Sequence, residues 1–277
     1  MDIEKPQPMQ IGGTYHYTLS SYDPVEIEVD VMHVSDADVE RSFRSLVAEQ
    51  GGDAETADDA WVAEHFEGLD AAGLRAELRR ELETYSSAYA EEQKPARCAQ
   101  ALAKRLGQAV PDQVVAAYER MLRERLAAEL REGGSSLDEL SGRLGAATDE
   151  ALRAQARDLA EQDAALDAYV AEKRLKVADE EIPGLLRIPA DKADEVMRDA
   201  EEHGATGELR RAALQAKAVR SLVAECACTY RHETPEEAAR RDEAYDQALR
   251  AAQAREDLER GISGDDGSAD GEGFKLV

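Results

Sequence analysis

Few residues of this chain stand at spacings that chemistry can use. Cys228 and His232 are four apart, so on one helix face a thiolate and an imidazole would make half of a tetrahedral metal site. No further ligand pair is spaced nearby, and a partly buried thiol is the simpler role for Cys228. Cys226 and Cys228 are separated by one residue; on a helix they point to different sides and cannot act as a redox pair. Neighbouring acids such as Glu180 and Glu181 have the right type for general acid and base work, but among 60 Asp and Glu they read as a solvated face. His16, His33, His65 and His203 are scattered. There is no Gly-rich phosphate loop, no His-Glu-x-x-His helix and no nucleophile elbow. The residues argue against an enzyme and call for no metal or organic cofactor.

Charge narrows the partners. With 34 Lys and Arg against those 60 acids, the formal net charge is −26, which repels phosphate backbones and anionic lipid. Nucleic acid and membranes are therefore excluded as expected partners. Cys98 is far in sequence from the other two cysteines, so no disulfide framework is expected and a reducing cytoplasm fits. The first residues, Met1 to Pro6, lead into polar sequence, and no stretch approaches the roughly 18 apolar residues of a spanning helix. Hydrophobic residues make up 43% of the chain but aromatics only 5%, leaving mostly Ala, Leu and Val, which form helices.

The elements that would position any site are mainly helical. Val25-Glu26-Ile27-Glu28-Val29-Asp30-Val31 alternates as a half-buried strand does, and Tyr15 to Leu19 could supply a second. Ser35 caps a helix whose apolar side holds Val39, Phe43, Leu46 and Val47 and which Gly51-Gly52 ends. Residues 51–60 form an acidic linker without period. A long tract continues through Leu74, Leu78, Leu82 and Tyr85, with an interruption expected at Pro95, to Leu102 and Leu106. Pro111 opens a helix with Val115, Tyr118, Leu122 and Leu126 on one stripe. Ser136-Leu137-Asp138-Glu139 has capping-box spacing before a short helix carrying Leu140 and Leu144. Thr148 starts another helix through Leu152, Ala156, Leu159, Leu166 and Val170, and the two long helices read as a hairpin. Pro183-Gly184 and Pro189 interrupt the next segment, Asp191 to Glu202 is amphipathic, and a strong helix is expected from about Glu208 to Tyr230. Thr234-Pro235-Glu236-Glu237 starts a helix charged enough to be solvated all round. Residues 261–277 are expected to be a disordered acidic tail.

Several of these blocks resemble, in order, the chaperone domain of bacterial trigger factors. They are Val25 to Val29 followed by Val34-Ser35-Asp36-Ala37-Asp38-Val39-Glu40, then Gly73-Leu74-Arg75-Ala76-Glu77-Leu78-Arg79, then Ala109-Val110-Pro111. Glu208-Leu209-Arg210 through Leu222-Val223-Ala224-Glu225 completes the series, which covers about Pro24 to Glu237. The resemblance implies a mainly α, elongated chaperone domain with arm-like helical hairpins, Pro111 to Val170 being one, behind a short N-terminal β segment. The boundaries are 1–34 extended, 35–235 the helical domain, 236–260 a charged helix and 261–277 the tail.

Two departures limit what is carried over. The family's ribosome-docking signature, Gly-Phe-Arg-x-Gly-Lys-x-Pro, does not occur, so ribosome docking is not implied for this chain. The linker at 51–60 stands where the family inserts a prolyl isomerase domain, and a domain needs roughly 50 residues. Phe43, Trp61, Phe66 and Phe274 are too few and too dispersed for the aromatic pocket that twisting an amide requires; Trp61 and Phe66 are expected to pack the linker onto the helical body.

The resemblance implies a holdase working without ATP, with unfolded or nascent polypeptides as its partners. It would be monomeric or weakly homodimeric. The expected client-binding residues are Tyr118, Met121, Leu122 and Leu126, then Leu137, Leu140 and Leu144, and Met197, offering dispersed and adaptable apolar contact. The rival reading is a scaffold whose arms pack on one dedicated partner or a second copy.

Overall fold

The computed structural model describes residues 5–11, 14–132 and 146–263. It is mainly helical with short strands, as the sequence predicts. Two compact units divide the chain: residues 1–29 with 91–230, and residues 30–90 with 231–277.

In the first unit β1 (Met9–Ile11) and β2 (Thr14–His16) pair antiparallel, Met9 opposite His16. The segment after β2 is tied to residues 105–108: Leu19 bridges Leu106, and the Gln108 side chain both accepts from the Thr18 amide and donates to its hydroxyl. α4 (Asp112–Glu132) packs on α5 (Ala146–Lys173) as the hairpin expected from the sequence. Tyr118 bonds Asp163 and Arg123 bonds Asp149, so numbers rise along α4 as they fall along α5, the antiparallel sense. The buried side of α5 is built from Ala156, Ala160, Ala164, Ala165 and Ala168 with Leu152, Leu166 and Tyr169. Alanine costs no side-chain entropy and lets helices approach closely. A 3-10 turn (Asp179–Glu181) leads to the one-turn α6 (Ile182–Leu185), α7 (Ala193–Glu202) and α8 (Thr206–Glu225), which packs on α5.

The second unit starts from α1 (Asp36–Glu49), whose first turn carries a full capping box: Ser35 Oγ accepts from the Asp38 amide and the Asp38 carboxylate accepts from the Ser35 amide. Phe43, Val47, Val62 and Leu74 form its core, with Trp61, Phe66, Leu69 and Leu78 packed around them. Trp61 and Phe66 come from α2 (Asp59–His65) and its cap, and they pack the return of the linker as expected. A Cβ on Gly52 would run into the Trp61 ring, so only glycine allows this closeness.

Three elements run through both units: β3 (Glu26–Val31), α3 (Ala71–Ala103) and β4 (Ala227–His232). β3 alternates as read, Ile27 and Val29 buried between exposed Glu26 and Glu28. It pairs with β4: the Ala227 amide donates to Val25 and the Glu233 amide to Val31, so both strands advance together, in parallel.

Four expectations are corrected by the structure. α3 is not interrupted at Pro95 but continues through it; Pro95 is exposed, so the carbonyl that loses its intrahelical donor can turn to water. Pro183 does not break a helix but sits in the first turn of α6, where its missing N–H costs nothing. The helix expected to reach Tyr230 stops at Glu225, and Ala227–His232 is a strand instead, since Thr and Tyr fit a pleated surface and β3 offers an edge. α9 (Pro235–Ser263) is not solvated all round: Ala238 and Asp242 are buried against the unit that holds α1. Residues 264–277 of the expected tail lie outside the described residues.

Candidate functional site

The sequence-derived binding residues fall in the first unit. On α4, Met121 is 49% exposed, whereas Tyr118, Leu122 and Leu126 are half-buried in the face turned toward α5. Met197 on α7 is also half-buried. Leu137, Leu140 and Leu144 lie outside the described residues. Tyr118 is tied down at both ends: its ring is in the α4–α5 packing and its hydroxyl donates to Asp163. Burial, together with that bond to a carboxylate, raises its phenol above the ordinary value. Nearby Arg211 and Gln215 of α8 both bond Asp167 of α5, so the same polar seam holds three helices together.

A second apolar surface, in the other unit, is one that sequence reading misses. Met32, His33 and Val34, the α1 residues Asp38, Arg41, Ser42 and Ser45, Leu82, Tyr85 and Ser86 of α3, and Arg241, Asp242 and Tyr245 of α9 enclose an open groove of about 500 Å³. Its lip is unusually apolar for an exposed surface: Tyr85 is 64% exposed and Tyr245 52%, with Met32, Tyr89 and Leu249 also facing solvent. Tyr85 and Tyr89 stack one turn apart, ring centroids 6.3 Å from each other. The signal is present in the sequence as two apolar pairs at i, i+4, Tyr85 with Tyr89 and Tyr245 with Leu249. Periodicity assigns Tyr85 to the core stripe of α3, but the positions buried after Leu82 are Ser86 and Ala90, which leaves Tyr85 outside.

Charge forms the inner wall of the groove. Arg41 reaches Asp38 at 2.5 Å and Asp242 at 2.6 Å, while Arg241 reaches Asp38 at 2.5 Å and Glu233 at 2.7 Å. Burial by itself would push the Asp242 carboxyl up, but hydrogen bonds from Ser35 and Arg41 and the charges of both arginines hold it below its usual value. The Arg41 guanidinium also lies over the Tyr245 ring, 4.8 Å from its centroid. These arginines and carboxylates satisfy one another.

Cys98, Cys226 and Cys228, scattered in sequence, share one neighbourhood in the first unit, and all three are free thiols. Cys226 caps α8 and Cys228 is in β4, so the helical placement expected for the pair does not hold. Cys228 and His232 lie at opposite ends of that strand, about 13 Å apart at ~3.3 Å per residue, too far to share a metal. Among the described residues no group of three or more His, Cys, Asp or Glu could hold a metal ion. No described helix is long and apolar enough to cross a membrane.

Comparison with known proteins gives no match among curated ones. Among solved structures, a hypothetical Mycoplasma protein, MPN555, aligns with 14% identity and a TM-score of 0.40, covering 78% of this chain and 90% of that one. Residues 70–224 match the family model for the C-terminus of bacterial trigger factor protein. That span is more than half of the 277 residues and contains every sequence-derived binding residue from Tyr118 to Met197. Of the groove it contains Leu82, Tyr85 and Ser86, while α1 and α9 fall outside it. The chain therefore belongs to the bacterial trigger factor C-terminus family.

Proposed function

We propose that this chain is an ATP-independent holdase of the cytoplasm that captures exposed apolar segments of unfolded or nascent polypeptides and catalyses no reaction. Family membership over residues 70–224 carries the reading. Large apolar side chains kept at the surface support it: Met121 on the α4–α5 arm, and Met32, Tyr85, Tyr89, Tyr245 and Leu249 in the other unit. A binder of many unrelated clients needs several shallow, adaptable contacts, since what its clients share is exposed hydrophobicity. Each apolar side chain covered fully contributes about 1.5–3 kcal/mol before ordering costs, so a few suffice for binding on the order of micromolar.

The test is suppression of aggregation of two unrelated unfolded model proteins by the purified chain, from equal to about tenfold molar ratio. Two variants accompany it, one substituted at Met121, Leu122 and Leu126 and one carrying Tyr85→Ser with Tyr245→Ser. Both clients are expected to be protected, each variant to protect less, and prolyl isomerisation of a test peptide to proceed at its uncatalysed rate. Protection of neither client would sink the reading and direct the search to a single dedicated partner.

A further inference from the structure

The three thiols of the first unit serve neither the arm nor the groove, and the packing around them fixes which two face each other. Glu91, Lys94 and Cys98 stand three and four apart along one face of α3. Cys226 ends α8 with an extended backbone and leads into β4, so Cys226, Cys228 and Tyr230 alternate onto one side of the chain. The two faces meet: the Tyr230 hydroxyl donates to the Glu91 carboxylate, and the Lys94 ammonium lies 5.0 Å from the centroid of the Tyr230 ring. From that contact α3 advances about 10 Å to Cys98, and the chain back from Tyr230 covers about 13 Å to Cys226, at ~1.5 Å and ~3.3 Å per residue. Cys98 and Cys226 therefore arrive side by side, thiol hydrogen-bonded to thiol, with Cys228 the next nearest.

We propose that Cys98 and Cys226 are an oxidisable dithiol, which a small disulfide of the glutathione type closes into a covalent bond between α3 and the end of α8. Cys226 is half-buried and open to a reagent, whereas Cys98 is wholly enclosed. The Cys226 thiolate attacks one sulfur of the small disulfide, forming a mixed disulfide and releasing the first small thiol. Cys98 then gives up its proton, and its sulfur attacks the Cys226 sulfur of the mixed disulfide, releasing the second. The protein loses two hydrogens, the small disulfide gains them, and no other reactant takes part. Cys228 is the poorer partner for Cys226: two residues along a strand their Cα atoms are about 6.6 Å apart, at the far edge of the ~4.4–6.8 Å that disulfides bridge, with the side chains parallel and not facing.

Enclosure does not block the second step, because the attacking sulfur is already beside its target and does not have to meet a reagent from solvent. It makes that step slow, since burial keeps Cys98 in the thiol form and only the thiolate is nucleophilic. The same burial favours the product. Strongly oxidising pairs owe their potential to a stabilised reduced form, and a buried, neutral Cys98 has no such thiolate to lose. The dithiol is thus slow to close, slow to reopen and silent while the surrounding thiol pool stays reduced. Once formed, the bond joins the two ends of residues 98–226, a stretch that contains the α4–α5 arm, and it removes conformations from the unfolded chain.

The test incubates the reduced full chain with glutathione disulfide in the absence of denaturant, quenches with acid and maps the unreduced peptides by mass spectrometry. A chain lighter by two hydrogens is expected, with the Cys98 peptide joined to the one that holds Cys226. Cys228→Ser should keep the link, and Cys226→Ser should lower its yield at least about tenfold, since exchange needs the facing sulfur. The linked chain should unfold at a higher urea concentration than the reduced one. Glutathione adducts with Cys98 left free, a yield indifferent to Cys226, a link that forms only in urea, or a linked chain less stable than the reduced one would each overturn the proposal. The readout is the chain's own covalent state, so it stands or falls separately from the holdase reading.

Discussion

Cys98 is fully enclosed, and burial, with the neighbouring thiols of Cys226 and Cys228, pushes its own thiol up to about 12. At pH 8 it is neutral and shielded, and only the thiolate reacts with alkylating agents. Iodoacetamide is therefore expected to label the half-exposed Cys226 and Cys228 in the native protein and Cys98 only after unfolding in urea, as read by intact mass. Labelling of Cys98 at the rate of the others would contradict this enclosure. Asp242 has the opposite displacement: its folded value is below the ordinary 3.8. A depressed carboxyl contributes stability that is present above the unfolded value and is lost as pH falls through the folded one. The urea midpoint of Asp242→Asn should thus fall below that of the parent at pH 6, and the gap should close on acidification below about pH 4. A gap independent of pH would show that the charge is not what Asp242 contributes.

At the scale of elements, α9 is held by its cap and by charge. Thr234 Oγ1 accepts from the Glu237 amide, and the Glu237 carboxylate accepts from the Thr234 amide. Thr234→Ala should destabilise the protein by about 0.5–2 kcal/mol, measured by urea denaturation, while a change within error would mean that the ionic face alone fixes the helix. This helix also marks where sequence reading succeeds and where it stops. The cap at Ser35 and the capping box at Thr234 are legible, because each needs only local hydrogen-bonding groups at a fixed offset. The β3 alternation and the α4 stripe are legible because a single apolar period specifies them. The face of α9 is not, since it buries Asp242 and half-buries Arg241, which no hydrophobic period reports. The boundary between α8 and β4 is hidden for another reason: a strand at that point depends on β3, two hundred residues earlier, and local propensity cannot see it. Of the candidate surfaces, the arm has Met121 exposed beside the stripe that periodicity reports. Tyr85 and Tyr245 are hidden because an exposed aromatic looks the same in sequence as a buried one.

For the molecule as a whole, the charge of −26 sets its response to salt. Raising ionic strength from about 0.01 M to 0.15 M shortens the screening length from about 30 Å to 8 Å, which weakens the general repulsion among carboxylates. It also weakens surface ion pairs, but each of these contributes about 0–1 kcal/mol. The thermal midpoint is expected to rise with NaCl over this range; a fall would mean that the ion pairs outweigh the excess charge. The division of the chain carries another consequence, for synthesis. The backbone crosses between the units after Val29, after Ala90 and after Tyr230, so neither unit is continuous in sequence. As the polypeptide is made from its N-terminus, β3 is finished long before its partner strand, and α1 exists well before α9. The ordinary sequence of events, in which an early domain folds while a later one is being translated, is closed to it. For most of its own translation this chain is an incomplete polypeptide with exposed apolar segments, the very kind of molecule it is proposed to protect.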